Sequence, residues 1–208
     1  LNSYTLIAIP FFIMAASVMN HGSVTTRIFN FCRSLVGHHR GGLGYVNVLA
    51  SVIFAGMSGS AVADVGGLGQ VEIKAMRDAC YDDGCTIGIT AASGTIGPII
   101  PPSIPFVVYA TYSGASTGAL FMAGILPGVF MAIVLCVMCY FIAKKQNSPA
   151  DPKSSGKEIW KSFKDSILAL LMPIIIIGGI WSGIATPTEA ALLATVYALL
   201  VCSCVLKE

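Results

Sequence analysis

The sequence predicts an all-α membrane protein in which transmembrane helices accompany a re-entrant helical hairpin and a broken helix. Hydrophobic residues make up 55% of the 208 residues and charged residues only 11%, about half the charged fraction of a soluble domain. Apolar runs of helical length recur along the chain, and two of them are interrupted by Gly, Ser and Pro. The net charge of +2 gives no indication of a nucleic-acid partner, and the bilayer is the expected surrounding.

Residues 1–40 are predicted to form a scaffold helix followed by an interfacial arm helix. The apolar run from Leu1 to Met19 is long enough to cross about 30 Å of hydrocarbon, and Pro10 would kink it. In the next run apolar residues recur at helical spacing while Arg27 and Arg33 occupy the other side, which is typical of an amphipathic helix in the membrane interface.

Residues 41–113 are predicted to form one unit, a hairpin over 41–78 and a broken helix over 84–113. The two apolar runs on either side of Ser58-Gly59-Ser60 have about fifteen residues each, fewer than the about twenty of a crossing helix. They therefore form either two thin spans or one re-entrant hairpin. Only the hairpin places all twelve Lys and Arg residues on one face, which the positive-inside rule makes cytoplasmic.

The remainder is predicted to contain a transmembrane helix over 117–145 and a cytoplasmic linker with a basic amphipathic surface helix over 146–166. A last helical pair over 167–208 turns at 186–189. Glu189 in that turn serves either as a first-turn helix cap, which we favour, or in transport.

The two breaks suggest ion and ligand chemistry, because helices that end inside a membrane present unpaired backbone dipoles. Carbonyl groups before each break suit a hard cation such as Na⁺, and amides after it suit an anion. Ser103 is a predicted N-cap. The expected substrate-binding residues are those at the breaks and the nearby hydroxyls: Ser58, Gly59, Ser60, Ala61, Ser93 and Ser103. The competing interpretation, helix kinks in a packed interior, is less favoured because two such breaks lie close in sequence.

Acidic residues near the hairpin need separate treatment. Asp64 follows the hairpin tip by one turn, and it either binds the cation or a proton or complements the positive end of the second half-helix; the sequence leaves both open. Farther along, a group of charged residues is expected to lie in water: Glu72, Lys74, Arg77, Asp78, Asp82 and Asp83.

Five segments in this order resemble the large membrane (M) subunit of the tripartite ATP-independent periplasmic (TRAP) transporters, of the DctM-like type. They read IPFFIMAASVM, GGLGYVNVLASVIFAGMSGSAVADVGGLG, AASGTIGPIIPPSIPFVVYA, LFMAGILPGVF and GGIWSGIATPTEAALLATVYALL. The combination covers nearly the whole chain. Such subunits are about twice as long and built from inverted repeats, so the resemblance implies a fragment with the first repeat and the start of the second, in an elevator fold of the ion-transporter superfamily.

The resemblance also implies a function. It is Na⁺-coupled import of C4-dicarboxylates, sialic acid or other sugar acids in the bacterial inner membrane, with a small membrane (Q) subunit, a periplasmic substrate-binding (P) protein and no organic cofactor. Carrying the family's first Na⁺ site over by motif gives mainly backbone carbonyls, with Asp64 as a further candidate: Ala55, Ser58, Gly97, Ile100 and Pro102.

Other classes compete with this one. A stand-alone Na⁺/dicarboxylate-type symporter would also build its site from a helical hairpin and is the main alternative. A channel with a re-entrant loop is a weaker alternative. A serine protease is not indicated, since Gly56-Met57-Ser58-Gly59-Ser60 lacks the last glycine of the G-x-S-x-G motif. We therefore do not expect an enzyme.

Overall fold

The computed structural model describes residues 4–21, 23–146 and 148–205, and within them the secondary structure is helical, with no strand. Residues 1–3, 147 and 206–208, which belong to the predicted first helix, linker and last helix, lie outside the described residues. A 3₁₀ turn over Tyr4–Ile7 precedes the first α-helix, and a π-helical turn over Val201–Val205 follows the last. The α-helices are α1 Ala8–His21, α2 Val24–Val36, α3 Gly42–Ser58, α4 Ala61–Gly66, α5 Leu68–Asp78, α6 Asp83–Gly94, α7 Ile104–Ser113, α8 Thr117–Gln146, α9 Gly156–Trp181 and α10 Pro187–Leu200.

Two of the described helices, α8 and α9, are long and apolar enough to cross a membrane singly. Helices α1 and α2 pass the same test as a pair bent by 71°. At 1.5 Å per residue, the 30 residues of α8 extend about 45 Å. Length and composition therefore support a membrane protein.

The predicted hairpin begins with α3, which ends at Ser58. Gly59 takes a left-handed conformation (φ +59°), and Ser60 is extended and caps α4 by accepting a hydrogen bond from the Ala63 amide. The second arm returns beside the first, because the Asn47 amide near the start of α3 contacts the Met76 sulfur near the end of α5 at 3.9 Å. The two arms thus run antiparallel.

The second arm differs from the single run that the sequence predicts, since Gly67 divides it into α4 and α5. Paired glycines favour such an interruption. Asn20 at the end of α1 fills the space beside Gly67 and donates a hydrogen bond to the Ala63 carbonyl at 3.0 Å. The interruption therefore depends on packing against α1.

The predicted broken helix consists of α6 and α7, joined by turns over residues 95–103. Asp82 caps α6 by accepting from the Cys85 amide. Ser103 caps α7 by accepting from the Phe106 amide at 3.3 Å, as the sequence predicts. Prolines at 98, 101 and 102 explain why no helix continues through these turns.

Helix α9 differs from the expectation of a surface helix followed by a separate apolar helix, because residues 156–181 form one continuous helix. A capping box of Ser155 and Glu158 starts it. No glycine or proline separates its basic first turns from Ile167, so nothing local ends the helix there. Pro173 in its interior does not divide it.

The linker joins the arm helix to the base of the hairpin. The Pro149 carbonyl accepts hydrogen bonds from the Gly41 amide (3.3 Å) and the Tyr81 hydroxyl (3.1 Å). Burial raises the pKa of Tyr81 to about 12, so this hydroxyl remains a donor. Asp151 forms a bidentate ion pair with Arg33 at 2.7 and 2.8 Å. Arm helix, hairpin base and linker therefore meet at one end of the molecule.

Helices α1 and α10 pack in parallel at the other side of the core. Thr188 and Thr195 donate to the carbonyls of Tyr4 (3.0 Å) and Phe11 (2.8 Å), two contacts with the same sequence separation. Buried alanines on both helices permit close approach, as in many membrane helix pairs. This packing fixes α1, which forms one wall of the cavity described below.

Candidate transport site

The two breaks touch each other. The Ile104 amide at the start of α7 donates a hydrogen bond to the Gly59 carbonyl at 3.3 Å. A Cβ atom at Gly59 would lie 2.4 Å from the Pro102 carbonyl oxygen, and one at Gly97 would lie 3.2 Å from the Ser60 carbonyl group. Glycine at these two positions is what allows the two main chains to approach so closely.

Several carbonyl oxygens of the two breaks have no hydrogen-bond partner. Within the described part of the chain, the main-chain oxygens of Ser58, Gly97, Ile100 and Pro102 accept no hydrogen bond, whereas that of Ala55 accepts one from the Gly59 amide at 3.2 Å. Four of the five expected ligand carbonyls are therefore available, and the fifth is already engaged. Neutral oxygen donors of this kind suit Na⁺, so the residues fit the ion.

The amides behind the two breaks differ from each other. At α7 the Ile104 amide is bound to Gly59 and the Phe106 amide to its cap, while Pro105 has none. At α4 the Ala61 and Val62 amides donate to no acceptor among the described residues. The Ala61 and Val62 amides are thus available at the hairpin tip, where the Gly59 amide is bound to Ala55, and the Ile104 and Phe106 amides are taken up at the broken helix.

The candidate hydroxyls, like the amides, are engaged at the broken helix and free of protein partners or partly exposed at the hairpin tip. Ser103 donates to the Pro98 carbonyl (2.5 Å), and Ser93, buried completely, donates to the Asn47 side chain at 2.6 Å. The Ser58 hydroxyl is buried with no partner in the described structure, and Ser60 is partly exposed. The two tip serines are therefore the hydroxyls placed to meet a ligand.

A cavity of about 580 Å³ lies between the hairpin tip and α1. No Lys or Arg is among the described residues that line it, and the polar ones among them are Ser17, Asn20, Ser58, Ser60 and Gln70. The structure thus brings two of the expected substrate residues to a cavity, together with groups from α1 and α5 that sequence analysis missed. Ser17 and Asn20 share one face of α1, and this i, i+3 pair was the available signal.

Two acidic residues of the hairpin are buried. Asp64 is 2% exposed, and neither carboxyl oxygen has a hydrogen-bond partner within the described residues. It therefore makes no capping hydrogen bond to the amides of α4. Glu72 is 1% exposed, so the expectation that it lies in water is wrong. Its position four residues before buried Met76 puts it on the packed face of α5, whereas its charged neighbours are exposed: Lys74, Arg77, Asp78, Asp82 and Asp83.

Glu189 has the capping role that the sequence favours. Its carboxylate accepts from the Thr186 amide at 2.7 Å, and the Thr186 hydroxyl accepts from the Glu189 amide at 3.3 Å. Hydrogen bonds from Thr186 lower the pKa of Glu189. Its carboxylate is thus engaged at the start of α10, away from the two breaks.

Discontinuous helices that meet beside a polar cavity are a feature of many secondary membrane transporters. Comparison with known proteins narrows the class. The family profile described as "Tripartite ATP-independent periplasmic transporter, DctM component" matches residues 1–208. The chain belongs to this family, whose members are transporter subunits and not enzymes.

Three relatives show how closely the chain matches. It is 55% identical to the sialic acid TRAP transporter large permease protein SiaM of Vibrio cholerae, over 96% of this chain and 47% of that protein. It is 51% identical to the sialic acid TRAP transporter permease protein SiaT of Haemophilus influenzae, over 100% and 34%. It is 46% identical to the 2,3-diketo-L-gulonate TRAP transporter large permease protein YiaN of Escherichia coli, over 100% and 49%. The chain thus spans half or less of the length of these relatives.

Proposed function

We propose that this chain forms the first repeat, and the start of the second, of the permease subunit of a Na⁺-coupled importer of organic acids. The observation that supports this most is the junction of the two breaks, where the Ile104 amide meets the Gly59 carbonyl among unpaired carbonyl oxygens. Backbone groups left unpaired within a membrane are tolerated where they line a site. Helix kinks in a packed interior would not need four carbonyls without partners.

The proposed Na⁺ ligands are the main-chain oxygens of Ser58, Gly97, Ile100 and Pro102. A bound Na⁺ would supply positive charge beside the cavity, whose described lining contains no Lys or Arg. The hydroxyls of Ser58 and Ser60 are then positioned to bind the carboxylate of the substrate. Two of the relatives have sialic acid or 2,3-diketo-L-gulonate in their names, and both compounds are organic acids. This supports organic acids as the substrate class, in which we include the C4-dicarboxylates.

The proposed mechanism is an elevator in which the hairpin and the broken helix move against a scaffold that includes α2 and α9. The hairpin is proposed to be re-entrant. The hydrogen bonds that tie Gly41 and Tyr81 to the linker support one shared membrane face for its base and the basic linker, which we take to be cytoplasmic. The proposed setting is the bacterial inner membrane, with a small membrane (Q) subunit and a periplasmic substrate-binding (P) protein as partners.

The proposal is tested with proteoliposomes that contain the full-length permease, its small membrane subunit and the binding protein. Uptake of an organic acid should require an inward Na⁺ gradient and fail with choline in its place. Uptake that persists without the binding protein would instead support a stand-alone symporter. Passive conduction that needs neither would support a channel, and uptake driven equally by choline would remove the coupling.

The tip serine gives a residue-level prediction. Ser58→Ala removes a buried hydroxyl with no protein partner, so a hydrogen bond to a charged ligand, typically about 1.5–3 kcal/mol, is lost. We expect the substrate or Na⁺ concentration for half-maximal uptake to rise about tenfold or more. Ser113→Ala is the control, because its hydroxyl is engaged locally: it donates to the Tyr109 carbonyl of its own helix and accepts from the Ala115 amide. Equal kinetics for both variants would contradict a role for Ser58 in binding.

A further inference from the structure

One side chain of α1 fills the interruption in the second arm of the hairpin. Gly67, which separates α4 from α5, has φ −99° and ψ −81°, outside the range of an α-helix. A Cβ atom at Gly67 would overlap the amide group of Asn20. The Asn20 amide thus occupies the place that a side chain at position 67 would take, and glycine leaves room for it.

The Asn20 amide group makes one hydrogen bond and leaves its oxygen without a partner. Its Nδ2 donates to the Ala63 carbonyl at 3.0 Å, and this carbonyl also accepts from the Gly67 amide at 3.1 Å. The Asn20 Oδ1 is buried and has no hydrogen-bond partner among the described residues. A gained hydrogen bond and an unpaired buried acceptor contribute opposite free energies of similar size. The contact is therefore close to balance, as suits a contact that forms and separates.

Helix α4, which Asn20 holds at the Ala63 carbonyl, forms part of the cavity wall. It has only six residues and lies between two interruptions of the hairpin. A helix this short is not stable by itself, so its neighbours set its position. Ser60, Val62 and Ala63 line the cavity, and so does Asn20. The position of the hairpin wall thus depends on a residue of the α1 wall.

Helix α1 is also held by α10. Thr188 and Thr195 of α10 donate hydrogen bonds to the carbonyls of Tyr4 and Phe11 at 3.0 and 2.8 Å. Both α1 and α10 lie outside the hairpin and the broken helix, which are the parts proposed to move. The contact of Asn20 with the hairpin therefore crosses the boundary of the proposed moving unit.

We propose that Asn20 is a positioning residue that ties the shape of the transport site to one position of the hairpin. While the hairpin lies against α1, the Asn20 amide beside Gly67 fixes α4 and the wall that carries Ser60. When the hairpin moves away, α4 loses this support and the wall is no longer held in the shape that fits the substrate. The inference rests on the proposed function, because it uses the elevator movement of the hairpin.

Asn20 acts through α4 and not by touching a ligand. Its nitrogen is bound to Ala63, and its oxygen is buried beside Gly67. The groups that meet a ligand from the hairpin remain the hydroxyls of Ser58 and Ser60. Asn20 thus differs in role from the tip serines, although all three line the same cavity.

The first test measures hydrogen–deuterium exchange of the full-length permease with its small membrane subunit in lipid nanodiscs. Asn20→Ala removes the support of α4 directly, and Gly67→Ala removes it by displacing the Asn20 amide. Each should raise the exchange rate of the amides of residues 61–67 about threefold to tenfold, as expected for the loss of one hydrogen bond. Gly88→Ala is the control and should leave these amides unchanged, because a Cβ at this position of α6 meets nothing within 4 Å.

The double variant Asn20→Ala/Gly67→Ala decides whether the two residues act together. Without the Asn20 amide its clash with the added methyl group is gone, so the double variant should exchange no faster than Asn20→Ala alone. Additive increases would show that the residues act separately and would overturn the proposal. Unchanged exchange at 61–67, or faster exchange spread over all helices, would overturn it as well. Should Asn20→Ala not fold, Asn20→Ser, with a shorter polar side chain, takes its place.

Uptake by proteoliposomes that contain the binding protein gives a second readout, with sialic acid as the probe. At saturating Na⁺, Asn20→Ala and Gly67→Ala should raise the sialic acid concentration for half-maximal uptake about threefold to tenfold. The maximal rate should stay near that of the wild type. A lower maximal rate with an unchanged half-maximal concentration is the result of a purely structural role, and it would overturn the positioning role.

The two proposals can fail separately. If the wild type takes up no organic acid with Na⁺, the proposed function is removed and the exchange measurement alone decides on Asn20. If uptake is normal but the exchange effects of the two substitutions are additive, only the role of Asn20 is removed.

Discussion

Replacement of Gly59 by alanine tests whether contact between the two breaks is needed for transport. Gly59 has φ +59°, and an L-residue in this left-handed region costs about 1–2 kcal/mol. The added Cβ would lie 2.4 Å from the Pro102 oxygen, so the two chains must separate by about 1 Å to reach ordinary contact. That movement would break the 3.3 Å hydrogen bond from Ile104 to Gly59, a further loss of about 1 kcal/mol.

Gly114 provides a matched control for the cost of placing an L-residue in the left-handed backbone conformation. It also ends a helix in the left-handed region (φ +73°), but an added Cβ meets nothing within 4 Å. Gly59→Ala should therefore destabilise the protein by about 2–3 kcal/mol, and Gly114→Ala by about 1–2 kcal/mol. The difference of about 1 kcal/mol corresponds to a few degrees of melting temperature.

The assay is Na⁺-driven uptake in proteoliposomes beside thermal unfolding of the same preparations. If Pro102 supplies an ion ligand, a shift of about 1 Å should raise the Na⁺ concentration for half-maximal uptake at least tenfold for Gly59→Ala. Gly114→Ala should retain nearly wild-type kinetics. Equal stability and equal Na⁺ dependence of the two variants would refute the idea that the junction positions the carbonyls.

Two further predictions concern the ends of helices. Arg33→Ala should lower the melting temperature more than Arg77→Ala, by an amount equivalent to about 1 kcal/mol or less. Arg33 holds the linker through a bidentate ion pair with Asp151, whereas the ion pair of Arg77 with Asp83 is more exposed. Equal melting temperatures of the two variants would contradict this. The pKa of Glu189 is lowered by Thr186, so its stabilising contribution is present above its unfolded-state pKa and is lost as pH falls through the folded one. Glu189→Gln should therefore flatten the acid limb of a plot of melting temperature against pH, and an unchanged acid limb would count against the capping interaction.

Features set by local backbone chemistry could be predicted from the sequence. The interruptions at Gly59 and at Pro101-Pro102 follow from residues that disfavour or block a helix, and the caps formed by Ser103 and Glu189 follow from short-range hydrogen bonds. These depend on a few neighbouring residues. The same local logic predicted free carbonyls before each break, whereas Ile100 and Pro102 were named as ligands only because of the family resemblance.

Features set by packing could not be predicted. Glu72 lies among charged residues in the sequence, and only the neighbouring helices decide that its side of α5 is buried while Lys74 is exposed. Asn20 belongs to the cavity because α1 packs beside the hairpin, 43 residues away from Ala63. Ser93 lies on the face of α6 that packs against Asn47. The residues around Ser93 in the sequence do not indicate which face of α6 is buried.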